Sequence, residues 1–333
     1  MRAARAQATT LLRTLFPAYR RAVDHRLASL LAELERAVPG GAPRKAGLEQ
    51  LADALPGLAV PELWLVLATL HGEMPRPTQV RRLRRIMELD TAWDAIVFLL
   101  RTLPDRRDPR ARPSAVAISA GVTHVDVTGL FTDDNVVAGR DSGRQILREW
   151  SRSRSFVPIT WDDEGRGWRA ITVDERRDLG LEVVPGTNAL ESVVLVPHAG
   201  TYILLGTVDE PRAAERLIGF GQYAGQASGT VGYGIDQLVA PEDHEEREGT
   251  SRFTWYLAAQ RSADVLVAVG DGAASQYRGW LRMLSAVGVV GPSIVTVARP
   301  EEPTDTGVIT LPGSRNSAWK RCADDSAAAL NLQ

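Results

Sequence analysis

The feature that most constrains this chain is a change of hydrophobic period near residue 110. Before it, apolar residues recur at three-, four- and seven-residue spacings: Leu12, Phe16, Val23, Leu27, Leu30 and Leu34 form one stripe. Pro17 lies inside that stripe and predicts a kink or a fresh helix start. Further helices are expected over about 46–55, from Pro61 to His71-Gly72, after Pro77, and after Asp90 as cap, with Trp93, Ile96, Val97 and Leu100 inward. Residues 104–113 hold three prolines and four arginines with no large apolar residue, so they read as a linker. After it, "AVAIS" and "THVDVT" alternate as strands do. Strands then alternate with helices. The strands fall near 155–160, 167–172, 192–197, 201–206, 229–233 and 264–269, with "SIVTVA" at 293–298 as a last buried one. Helices fall near 141–152, 210–223, 251–262 and 271–286. That order predicts a mainly parallel sheet covered on both faces.

Charge divides the chain at the same place. Residues 1–112 carry 19 Lys/Arg against 12 Asp/Glu, a net of +7, so within a total of −2 the remainder carries −9. The small total argues against bulk nucleic-acid binding, while the basic front fits peripheral contact with anionic lipid or an acidic partner, or simply a solvated face. Cys322 is the one cysteine, which excludes an intrachain disulfide and points to the cytoplasm. No apolar run reaches the ~18 residues that a spanning helix needs.

Several signals read as ordinary structure. Gly219-Phe220-Gly221-Gln222-Tyr223-Ala224 has the spacing of a dinucleotide loop but closes a helix, where its amides would not meet a pyrophosphate. Asp162-Asp163-Glu164 precedes Gly165 and Gly167 between two strands, which is turn chemistry. His244-Glu245-Glu246 lacks the second histidine of a zinc helix, and no metal site is expected.

Five segments of the second part carry a resemblance. "THVDVTGLFTDDNVVAGRDSGRQILREW", "VPHAGTYIL", "SGTVGYGID", "SADVLVAVGDGAASQYRGWLRML" and "GVITLPGSRNSAWKR" occur in the order and spacing of pieces in bacterial family-4 glycosyltransferases of the GT-B fold. The likeness spans about 122–321. It implies an α/β fold. A helical domain at 1–103 and the linker would precede a Rossmann-like, mainly parallel sheet at 114–300, the acceptor-side half. The tail at 301–333 would be the start of a donor half, poorly ordered, with at most a short helix near 320–331.

It also implies a site and an activity. In that family a glycine loop at a helix N-terminus meets the donor phosphate, which places Gly139 and Arg140 at the phosphate edge. His198, Tyr202, Tyr233 and Asp236 would line the acceptor side. The substrate would be a nucleotide sugar, without metal or other cofactor, and the acceptor a saccharide or a lipid-linked molecule. The departures lie in the same motifs: Ala138 and Arg140-Asp141-Ser142 in the loop, Gly234 for an aspartate, Gly270 for a serine, and no glutamate after Glu302. They leave two further readings open. One is a degenerate or truncated relative that binds a partner, such as an intact glycosyltransferase or a second copy of itself, without catalysis. The other is an unrelated α/β nucleotide-binding enzyme.

Overall fold

The structure is a computed structural model that describes residues 2–37, 47–104, 113–131, 140–183, 192–208, 210–235, 247–298 and 312–330. The front third is helical: α1 (Arg2–Thr14), α2 (Pro17–Ala37), α3 (Leu48–Ala54), α4 (Val60–His71), α5 (Pro77–Leu89) and α6 (Ala92–Arg101). Pro17 starts a helix, where its missing N–H costs no bond. α4 ends on Gly72 at φ 67°. The cap of α6 is Thr91, not Asp90: the Thr91 hydroxyl accepts from Asp94 N, and Thr91 N donates to the Asp94 carboxylate at 3.1 Å. α4 is apolar all round and buried from Leu63 to His71, the mark of a central helix.

The α/β part follows as β1 (Ala115–Ala120), β2 (Thr123–Asp126), α7 (Arg140–Ser153), β3 (Val157–Trp161), β4 (Trp168–Ala170), α8 (Val173–Leu179), β5 (Val193–His198), β6 (Thr201–Leu204), α9 (Pro211–Tyr223), β7 (Ala227–Gly232), α10 (Arg247–Gln260), β8 (Val265–Val269), α11 (Asp271–Ala286), β9 (Ser293–Val297) and α12 (Pro312–Ala329). Nine strands form one sheet in the order β1-β5-β4-β3-β2-β6-β7-β8-β9, parallel at every pairing except the two made by β4. β4 is reversed by the turn after β3, where Asp162 accepts from Glu164 N and Arg166 N.

The left half of this sheet curls. β1 and β2 lie four places apart in the order, as do β5 and β6, yet only Gly121-Val122 and Ala199-Gly200 join them. Four strand spacings in a flat sheet measure about 19 Å, and a two-residue link reaches at most about 11 Å. The strands also pair with one offset throughout, Ala115 opposite Val193 and Asp126 opposite Leu204. β1–β2 and β5–β6 are therefore one bent ribbon. The bend needs left-handed backbone at Gly121 (φ 68°) and Ala199 (φ 48°), and a Cβ on Gly200 would sit 2.1 Å from the Val122 carbonyl oxygen.

Helices cover both faces. α7, α8 and α12 pack on one, around Val125, Ile203, Val231 and Val267. On the other, a single core runs from Ala4 of α1 to Trp280 of α11, so the helical front shares its interior with the sheet. Arg26 ties the two parts, donating to Leu70 O at 2.9 Å and Ser114 O at 2.6 Å. Residues 105–112 of the expected linker lie outside the described residues.

Two further expectations need correction. β9 is an edge strand with Ser293 and Val295 exposed, not a buried one, because no described strand lies beyond it. The end of the chain carries an eighteen-residue helix, longer than the short one expected. Cys322, Ala323, Ala327 and Leu330 are buried against α7 and the sheet, and small side chains permit that close approach. "VITL" at 308–311 lies outside the described residues.

Candidate functional site

Strand order reverses at β2. The chain goes from β2 through α7 to β3 on one side, while β6 takes the other side and leads outward to β7, β8 and β9. In open parallel sheets, the crevice outside the strands' carboxyl ends at such a reversal is where ligands bind.

Asp126 shapes that crevice from below. It ends β2 with no exposed surface. Oδ1 accepts from Thr128 N at 3.0 Å and Thr128 Oγ1 at 2.6 Å. Oδ2 accepts from Trp168 Nε1 at 3.0 Å and Tyr202 Oη at 2.7 Å. Burial pushes the Asp126 carboxyl above its ordinary range, against these bonds, which favour the charged form. The turn it holds, Thr128–Leu130, brings Gly129 against the chain leaving β6: a Cβ on Gly129 would lie 2.2 Å from Thr207 N. The Leu130 carbonyl accepts from Arg144 Nε at 3.2 Å and Nη2 at 3.0 Å, fixing the start of α7.

The first turn of α7 is thereby delivered to the carboxyl ends of β6 and β7. A Cβ on Gly143 would lie 3.1 Å from Tyr233 Oη and 3.2 Å from the Leu205 carbonyl oxygen. The Tyr233 hydroxyl is buried and has no partner among the described residues; burial, with Cys322 and Tyr277 near, raises its pKa well above the ordinary value. The exit from β7 is held by Tyr277 Oη, which donates to Gly234 O at 3.3 Å, and by Gln276 Oε1, which accepts from Ile235 N at 2.7 Å. The opening amides of a fourteen-residue helix attract an anion, Arg140 adds a cation beside them, and Asp141 in the same turn opposes both.

Of the residues singled out from sequence, Arg140 and Tyr233 come to this crevice. Gly139 and Asp236 lie outside the described residues. Tyr202 does not reach it: its ring points into the core, 5.1 Å from Trp168 and 4.9 Å from Phe220, because the curl turns that face of β6 inward. His198 does not reach it either. It ends β5 at the ribbon's bend, six residues before Leu204, and its carbonyl accepts from Gly121 N. Asp126 and Thr128 are the residues that sequence reasoning misses, although an aspartate among valines in "THVDVT" is a readable signal. The Gly219–Ala224 stretch closes α9, as its setting predicts. Among the described residues no three His, Cys, Asp or Glu side chains are placed to hold a metal ion, and no helix is long and apolar enough to cross a membrane.

Compared with protein-family models, with curated proteins and with solved structures, the chain finds no match.

Proposed function

We propose that the α/β part of this chain is a Rossmann-like, acceptor-side half of a GT-B glycosyltransferase. In this reading it acts in the cytoplasm on a nucleotide sugar and a saccharide or lipid-linked acceptor. One observation carries the reading: the first turn of α7 meets the carboxyl ends of β2, β6 and β7 where the strand order reverses. β2, the first turn of α7, β6 and, but for Ala227, β7 all lie within the first three resembling segments. Positive charge and oriented amides there would stabilise a leaving diphosphate without a metal.

A second reading rests on Asp141. A carboxylate in the helix's first turn repels a diphosphate, and a non-catalytic relative that binds a protein partner would tolerate it. Hydrogen exchange with and without millimolar UDP or GDP separates the two. The transferase reading expects protection of amides 129–130, 140–143 and 205–207, lost in Arg140→Ala, together with transfer of labelled sugar to an acceptor. No protection and no transfer would leave the partner-binding reading standing.

A further inference from the structure

α5 carries Arg81, Arg82, Arg84 and Arg85, all exposed, within five residues. Its opposite side is pinned in the core by Val80 and Leu83, both without exposed surface, so the basic side faces outward in a fixed orientation. Arg81, Arg85 and Leu89 follow at four-residue spacing and form one outward ridge. Arg84 pairs with Glu88 at 2.9 Å, and Arg82 lies over the Phe98 ring at 5.9 Å. Arg81 and Arg85 have no ion pair among the described residues. The ridge ends on Leu89, 65% exposed at the turn into α6, with the half-buried Trp93 one turn further on. Glu88 and Asp90 flank it, and against the four arginines they still leave the local balance positive.

We propose that this ridge docks the protein on an anionic lipid bilayer. Guanidinium groups pair with phosphate in forked geometry. The protein's charge is polarised as this requires, with +7 on residues 1–112 and −9 on the rest, so an anionic surface orients the helical front toward itself. Leu89 decides between a bilayer and a nucleic acid. An apolar side chain at the end of an arginine ridge meets the acyl boundary just beneath the headgroup phosphates, whereas a nucleic-acid backbone offers it nothing. The apolar face of α5 is already used inside the protein, so the contact is peripheral and mainly electrostatic. It does not depend on the transferase reading.

The test is co-sedimentation of the whole chain with vesicles of phosphatidylcholine alone and with about 30 mol % phosphatidylglycerol. The expected result is binding only to the anionic vesicles, reversed between about 0.05 and 0.5 M NaCl. Partitioning should fall at least about tenfold in Arg81→Glu/Arg85→Glu and by a smaller factor in Leu89→Ser. The salt titration on the unaltered chain keeps the test decisive if the charge-reversed variant does not fold. Equal binding to both vesicle types overturns the proposal, as does binding that ignores both variants. Tighter binding to RNA than to vesicles, indifferent to Leu89, would assign the ridge to nucleic acid.

Discussion

The indole Nε1 of Trp150 donates to the carbonyl oxygen of Ala323 at 2.8 Å, joining residues 173 positions apart. Trp150 has no exposed surface. The bond fastens α12 onto α7, with the Arg154–Asp324 pair at 3.2 Å beside it. Removing α12 would uncover Trp150, Val231 and Val267. Trp150→Phe should cost about 1–3 kcal/mol, for a buried carbonyl losing its second donor and a smaller ring. Urea unfolding measures it. Hydrogen exchange gives an independent check: amides of 322–327 should be protected as strongly as those of α7, and fast exchange there would refute the docking.

Two buried histidines set the response to acid. Burial pulls both His71 and His124 from 6.5 down to about 4. His71 Nε2 donates to Leu99 O at 3.2 Å, which fixes the neutral tautomer. Between pH 6.5 and 4 the unfolded chain takes up protons that the folded chain refuses, so stability is lost as pH falls through that window. Each histidine contributes about 3 kcal/mol over it. Asp126 acts in the opposite sense. Its folded pKa is raised, so its effect lowers stability as pH rises above 3.8. With two histidines against one carboxyl, a net loss on acidification is expected. His71→Gln should remove about one proton from the slope of unfolding free energy against pH between about 4 and 6.5; an unchanged slope would show that His71 is not buried neutral.

Glycine positions give opposite signs. Gly129→Ala forces a Cβ to 2.2 Å from the Thr207 backbone, which cannot yield as a side-chain tip can. It should cost several kcal/mol and open the crevice. Gly279, in the interior of α11, has open space where a methyl would stand, with nothing within 4 Å. Gly279→Ala should stabilise by about 0.5–1 kcal/mol, through helix propensity alone. Thermal melts of the two variants should move in opposite directions.

Arg26 is 2% exposed, and Gly72 is what admits it: a Cβ at Gly72 would lie 2.4 Å from Nη2. Arg26→Met removes both bonds that tie the end of α4 to the start of β1 and leaves the buried Leu70 carbonyl without this donor. A loss of about 2–4 kcal/mol is expected in chemical denaturation. Gly72→Ala should fall in the same range, since it displaces the guanidinium and strains a φ of 67°. A mild effect of both would mean that the helical front does not lean on this tie.

Helix and strand identities were legible because they rest on neighbours two to four residues apart: the stripe from Val23 to Leu34, the alternation of "THVDVT", and Gly72 closing α4. The same local signals put a helix near 141–152 and a strand near 229–233, where α7 and β7 lie; Arg140 and Tyr233 were singled out only through the resemblance.

What tertiary structure alone decided depends on partners far along the chain. The bend at Gly121 and Ala199 curls the ribbon, sends Tyr202 into the core beside Asp126, and leaves His198 at the bend, ending β5. Nothing in "VPHAGTYIL" states which neighbour β4 will pair with, and that pairing closes the curl. α12 reads as weakly apolar because Cys322, Ala323 and Ala327 are small. Their value lies in letting the helix approach Trp150, and that contact has no local signature. The sequence determined most of the elements and their order, though not α8 or the length of α12, through periodicities that each segment carries within itself. Which faces became core and which became crevice was decided by packing, since a side chain's surroundings are set by strands and helices it meets only after the chain has closed on itself.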